Sequence, residues 1–192
     1  MIKSREDYMH YLESDRIALG RTGKRPRIND EIWKFERLLR RLEYYINCKK
    51  LGGVLLFITK QLFVRKSIKL GFTIPANVFG PGLNIAHVGT IVVNRNARVG
   101  KGCWIYPGVN IGANTGGPDD VPIIGDDVFL GPGAKVFGKI QIGDNTSIGA
   151  NAVVTKSFSD GNQTIAGIPA RKISETNSNE IIMRQRKNGK EF

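Results

Sequence analysis

The sequence predicts a mainly β fold: a triangular solenoid of six-residue repeats behind an α-helical front. Three observations carry this prediction. Aliphatic residues recur every six positions from residue 85 onward, the residues before 72 show helical spacing, and positive charge is concentrated in that helical front. The division expected is a basic helical domain at 1–72, a repeat domain at 73–173 and a polar tail at 174–192.

The 192 residues are 41% hydrophobic, enough for a sizeable core. Lys and Arg number 29 against 17 Asp and Glu, a formal charge of +12 that favours anionic partners. Residues 1–72 hold 17 of the basic and 8 of the acidic side chains. Cys48 and Cys103 lie far apart, which argues against a disulfide framework or a zinc ribbon. His10 and His87 are too few for a three-His zinc site, so carbonic anhydrase chemistry is excluded. No apolar signal segment stands near the start, and the apolar stretch 51–64 is broken by Gly52, Gly53, Lys60 and Gln61. It falls short of the roughly 20 residues needed to span a bilayer. A cytoplasmic protein is expected.

In chain order, Ser4-x-x-Asp7 resembles a capping box, and Tyr8, Tyr11, Leu12 and Leu19 follow at near-helical spacing. After a Gly-, Lys-, Arg- and Pro-rich loop, Asn29 or Asp30 caps a second helix. Its apolar stripe is Ile32, Phe35, Leu38, Leu39, Leu42 and Ile46, with Lys34, Arg37, Arg40 and Arg41 expected largely outside it. Gly52 and Gly53 break the pattern. A third helix is expected over 54–69 with its apolar side buried.

From Ile74 the period becomes six. Ile85 and Ile91, then Val99, Ile105 and Ile111, then Ile124, Leu130, Val136, Ile142, Ile148 and Val154 keep phase within each run. Small residues, including Gly89, Cys103, Thr115, Ala134, Thr146 and Ala152, follow at the fourth place. Three such sides make one coil whose aliphatics point inward and stack on those of the next. The phase slips by two residues after Ile91 and by one after Ile111, and 114–121 reads as a loop leaving the prism.

The ladder, the lone His87 in Ile85-Ala86-His87-Val88-Gly89-Thr90, and the ending Ile165-Ala166-Gly167-Ile168-Pro169-Ala170-Arg171 together resemble the hexapeptide-repeat acyltransferases, in particular their serine acetyltransferase-like branch. The helical front also resembles that of capsule and exopolysaccharide acetyltransferases. The resemblance implies a left-handed parallel β-helix, a homotrimer with sites between subunits, acetyl-CoA as donor, no metal, and His87 as general base. Backbone N–H groups of the coils would stabilise the oxyanion. It further places Pro132, Gly133, Ala134 and Ala150 along the pantetheine arm, with Thr155, Lys156, Arg171 and Lys172 towards the nucleotide phosphates.

Serine acetyltransferases carry an Asp before the catalytic His, a second His in the protruding loop, and an Asp on the preceding coil. Those places are read here as Ala86, Val121 and Phe72. The expected acceptor is therefore a sugar hydroxyl of a surface polysaccharide, with Asn84, Asn94, Tyr106 and Asn114 as hydrogen-bonding candidates and Asp15 as a replacement acid. The alternatives are serine O-acetylation, or a non-catalytic membrane-surface or scaffold protein using the basic helices and the cations Lys49, Lys50, Arg65, Lys66 and Lys69 against anionic lipid. No nucleic-acid module is recognised. His10, Cys103, Trp33 and Trp104 read as surface or packing residues.

Overall fold

A computed structural model describes residues 1–48, 53–117 and 119–188, without side chains for 184–188. Lys49, Lys50, Leu51, Gly52, Pro118 and 189–192 lie outside the described residues.

Helix α1 (Arg5–Ala18) starts where Ser4 Oγ accepts the Asp7 backbone N–H at 3.0 Å, with Glu6 and Asp7 in the first turn, where the helix dipole favours acids. Helix α2 (Glu31–Cys48) is capped by Asp30, whose Oδ1 accepts from the Trp33 N–H at 3.2 Å. Trp33, Phe35, Leu39 and Leu42 form its buried stripe, while Ile46 is half-exposed. Helix α3 (Gly53–Leu70) differs from expectation. Its buried residues are Thr59, Phe63 and Leu70, and Val54, Leu55, Phe57, Ile58, Leu62 and Ile68 are exposed; among the described residues α2 is its main helical neighbour.

Arg40 also departs from its expected place on the polar face, for it is fully buried. Its Nε donates to Asp15 Oδ2 at 2.8 Å and its Nη2 to Asp15 Oδ1 at 3.2 Å, while Nη1 reaches Glu43 Oε2 at 3.0 Å. The same guanidinium donates to the carbonyls of Phe79 and Gly80, at 2.9 and 2.7 Å. Burial opposes its charge, but the carboxylates of Asp15 and Glu43 outweigh that and hold the proton more firmly than usual. Asp15 Oδ1 accepts from Gly82 N and Leu83 N, and Glu43 Oε1 from Asn77 N. One buried cluster thus ties α1 and α2 to the first coil.

The coils wind through three parallel faces. The first holds β1 (Phe72–Thr73), β3 (Ile91–Val93), β6 (Asn110–Gly112), β9 (Lys135–Phe137) and β12 (Val153–Val154); the second holds β4 (Arg98–Val99), β7 (Ile123–Ile124) and β10 (Gln141–Ile142). The third holds β2 (Asn84–Ile85), β5 (Trp104–Ile105), β8 (Phe129–Leu130), β11 (Ser147–Ile148) and β13 (Thr164–Gly167), closed by the antiparallel β14 (Ala170–Ser174). Helix α4 (Ser178–Asn188) returns along the side, where Ile182 packs with Trp104 and Phe129. All eleven ladder aliphatics are buried, nine of them at 2% exposure or less.

The register relocates the first phase slip. Val93, not Ile91, pairs with Ile111, while Ile91 pairs with Phe72. From Val93 the six-residue step to Val99 is intact. The two extra residues therefore sit between Ile85 and Val93, at the corner that carries His87. The second slip is the loop between β6 and β7, as expected.

Replacing Ile105, fully buried in the middle of the ladder, by Ala should cost about 2–5 kcal/mol in a urea unfolding experiment. The same truncation at the partly exposed Val92 should cost about 1 kcal/mol or less.

Candidate active site

The corner after β2 is built differently from the corners below it. After β5, β8 and β11 the chain takes six residues from one ladder aliphatic to the next, whereas from Ile85 to Val93 it takes eight. The surplus bulges outward and leaves His87 and Val88 exposed. Gly89 closes the bulge with φ of 149°, and a Cβ there would lie 3.0 Å from Pro107 Cβ. The His87 ring stands edge-on to Tyr106, with centroids 5.8 Å apart, and Tyr106 leans on Phe129 at 5.3 Å. An exposed imidazole braced by a phenol ring can take a proton from a hydroxyl brought against it.

Beneath the corner lies Glu36, a residue the sequence reading passed over. It is fully buried on α2, and its Oε1 accepts from the Ile85 N–H at 3.2 Å, which anchors the strand entering the corner. Burial, reinforced by the charge of Asp15, pushes its pKa well above the ordinary carboxylate range. Its apolar-stripe neighbours gave no sign of this; the only signal was an acid four residues before Arg40 on a helix that buries both.

Strand register strings the site together. Extending the pairing of β2, β5, β8, β11 and β13 by two residues aligns His87, Pro107, Pro132, Ala150 and Gly167 in one column, and hydrogen bonds from Ala86 N to Ile105 O, Gly131 N to Ile148 O and Gly149 N to Ile165 O hold it. At about 4.8 Å per strand, five steps from β2 to β14 span about 24 Å. The far end carries the exposed Arg171 and Lys172, the latter paired with Glu175 at 2.8 Å. Gly133 lies beside the column with φ of 74°, where a Cβ would stand 2.1 Å from Asn151 Oδ1, so the next coil can stack only on glycine.

Several expected contacts are corrected. Ala134 is fully buried, with its N–H donated to Gly131 O and its carbonyl taken by Asn110 N, so it belongs to the core and not to a groove. Asp15 has both oxygens committed to Arg40 and the first coil and offers nothing to an acceptor. Asn84 is 7% exposed and donates to Ala18 O at 2.7 Å, pinning the end of α1. Asn94 and Asn114 shape turns, accepting from Asn96 N and Thr115 N. Of the four hydrogen-bonding candidates, Tyr106 alone stands against His87. Thr155 and Lys156 are not corrected by this geometry: within one chain they follow β12 at the next corner, off the column, and Lys156 sits 5.4 Å over the Phe158 ring. Ala86 is half-buried, and Val121 and Phe72 are buried. Cys103 is buried at a coil corner, which pushes its thiol pKa up, and His10 is exposed.

Comparison with known proteins bears on this geometry. The profile of the family described as "Bacterial transferase hexapeptide (six repeats)" matches residues 122–156. The crystal structure of serine acetyltransferase from Brucella abortus strain S19 superposes with a TM-score of 0.72 at 31% identity, over 91% of this chain and 72% of that one. The chain belongs to the hexapeptide-repeat acetyltransferases, in their serine acetyltransferase-like branch. Serine acetyltransferases of Mycobacterium tuberculosis and Synechococcus elongatus are 38% identical over 104 residues and 41% identical over 101 residues, covering 53% and 52% of this chain. The chain spans less than half of these relatives, 44% and 41% of their length. Further solved structures include the Brucella abortus enzyme in complex with coenzyme A (TM-score 0.72, 31% identity, 90% of this chain and 70% of that one) and the Neisseria gonorrhoeae serine acetyltransferase in complex with serine (0.69, 26%, 89% and 71%).

These relatives overturn the expected sugar acceptor and the assignment to surface polysaccharide. That expectation rested on absent acids around His87. The relatives favour the alternative, serine O-acetylation.

Replacing Glu36 by Gln keeps the acceptor for Ile85 N–H and removes the titration. The folded chain retains the Glu36 proton while the unfolded chain loses it above pH about 4.3, so the native contribution is complete below that pH and declines as pH rises. The variant should therefore show a higher Tm than wild type at pH 8, with the difference vanishing towards pH 4. A Tm difference independent of pH would contradict the assignment.

Proposed function

We propose that the chain is an acetyl-CoA-dependent O-acetyltransferase acting on the hydroxyl of serine, with His87 as its general base. The observation that carries this reading is the lengthened corner, which presents His87 at one end of a shallow column of small residues whose other end is cationic. Relatives in the same branch, including one bound to coenzyme A and one bound to serine, support both substrates.

In this reading the donor's pantetheine arm lies over Pro132 and Ala150, with Gly133 permitting close backbone approach. Its phosphates lie towards Arg171 and Lys172, where charge-assisted hydrogen bonds are strongest. The His87 imidazole takes the hydroxyl proton as the serine oxygen attacks the thioester carbonyl. The tetrahedral oxyanion collapses, the C–S bond breaks, and the thiolate leaves with the proton returned from the imidazolium. Tyr106 fixes the ring's plane during both transfers.

The same reading includes a left-handed winding and a homotrimer. Thr155 and Lys156 are separated from the His87 column by a face of the prism, so one chain cannot lay all the expected donor contacts along one groove. A second copy, offering its Thr155 corner and its loop between β6 and β7 to the His87 corner of the first, would complete it. Asp119 and Asp120 on that loop are the acids available to the serine ammonium.

Thiol release from acetyl-CoA tests the proposal. With L-serine as acceptor, wild type should turn over and His87→Ala should lose about 10²–10⁴-fold in kcat with its fold intact by circular dichroism. Full activity in the variant, or no serine-dependent release by wild type, would refute it.

A further inference from the structure

Helix α3 turns most of its apolar surface to solvent. Val54, Phe57, Val64 and Ile68 are 74%, 62%, 42% and 77% exposed, whereas Phe63 and Leu70 pack into the fold. Together with the exposed Gln61, those four recur at steps of three and four residues. At about 100° per residue they share one line along the helix, on the side opposite Phe63 and Leu70. Leu55, Ile58 and Leu62 widen the exposed surface on one flank. Soluble proteins rarely leave an apolar surface of this extent uncovered.

Charge narrows what can cover it. The helix carries Lys60, Arg65, Lys66 and Lys69 and no acid. By the same angular step, Lys60 lies on one edge of the line, and Arg65 and Lys69 lie on the other. Lys66 and Lys69 reach Glu31 of α2, at 2.8 and 3.6 Å. Among the described residues Lys60 and Arg65 have no acidic partner. A second copy of this chain, laid line against line, would set four cations against four, and like charges placed opposite one another disfavour such a contact. An anionic bilayer satisfies both features at once. Its acyl region takes the apolar line, while the flanking cations extend along their stems to the headgroup phosphates. The helix would lie along the surface: its 18 residues measure about 27 Å, and among the described residues no helix is long and apolar enough to cross a membrane.

We propose that α3 is a docking face for an anionic phospholipid bilayer, on which the folded chain sits peripherally. Residues 1–72, with 17 basic and 8 acidic side chains, add attraction to the same surface. The face contributes neither His87 nor the donor column, so the proposal does not depend on the identity of the acceptor.

Co-sedimentation of the full chain with vesicles tests this. Vesicles of phosphatidylcholine with about 30% phosphatidylglycerol should bind it, and vesicles of phosphatidylcholine alone should bind it about tenfold or more weakly. Phe57→Glu/Ile68→Glu, which changes only exposed positions and should keep the wild-type circular dichroism, should weaken binding to the anionic vesicles about tenfold or more. Lys60→Gln/Arg65→Gln/Lys69→Gln should do the same, whereas Lys24→Gln/Arg25→Gln/Arg27→Gln, which removes equal charge from the loop between α1 and α2, should weaken it far less. Analytical ultracentrifugation without lipid should give wild type and Phe57→Glu/Ile68→Glu the same mass. No binding to the anionic vesicles, undiminished binding by Phe57→Glu/Ile68→Glu, or an equal loss in the two charge variants overturns the proposal. A lower mass for Phe57→Glu/Ile68→Glu also overturns it, because the face is then covered by a second copy.

Discussion

Arg40 is the point on which the arrangement of this protein turns. A guanidinium with no exposure to water is tolerable only when its charge is paired and its donors are occupied, and here two carboxylates and two main-chain carbonyls share that task. The four groups come from α1, α2 and the first coil. Because each partner would be left as an uncompensated buried polar group if the others moved, the cluster has essentially one geometry. The helical front is therefore registered on the prism, and through Gly82 and Leu83 the strand leading to His87 is registered with it.

The prism supplies rigidity and the corner supplies chemistry. Each coil stacks an aliphatic on its equivalents, so the ladder fixes the height of every corner to within a strand spacing. An unmodified corner is tight and lined by small residues, suitable for an extended ligand lying along it. Two surplus residues at one corner are enough to turn a packing position into a projecting imidazole. Glu36 holds the strand just before that surplus by accepting from Ile85, so the bulge grows from a fixed base.

Period-six aliphatics made the solenoid legible in the sequence, because burial in a repeated coil leaves few alternatives at the inward position. The cap at Ser4 was legible from its local pattern, and the second cap was narrowed to Asn29 or Asp30, of which the structure selects Asp30. The first phase slip was visible but misplaced: Ile91 and Val93 are both aliphatic and both buried, and only pairing across coils shows which of them belongs to the ladder. Residues whose roles depend on distant partners were not legible. Arg40 looked like one of several cations on a polar face, Asp15 like a replacement acid for the site, and Asn84 like a hydrogen-bonding partner of the acceptor. Each was decided by a partner at least 25 positions away. The sugar acceptor was read from the residues at three positions, and the relatives named serine acetyltransferase overturn it.

The Arg40 cluster sets the His87 corner. Amide hydrogen exchange of wild type and Arg40→Met, followed over peptides from every coil alongside serine-dependent turnover, addresses it directly. Protection should fall at Gly82, Leu83 and the residues up to Ile91, and turnover with it, while β8, β11 and β13 keep their protection. A folded variant with an unaltered corner and wild-type turnover, or a loss spread evenly over all the coils, would contradict it.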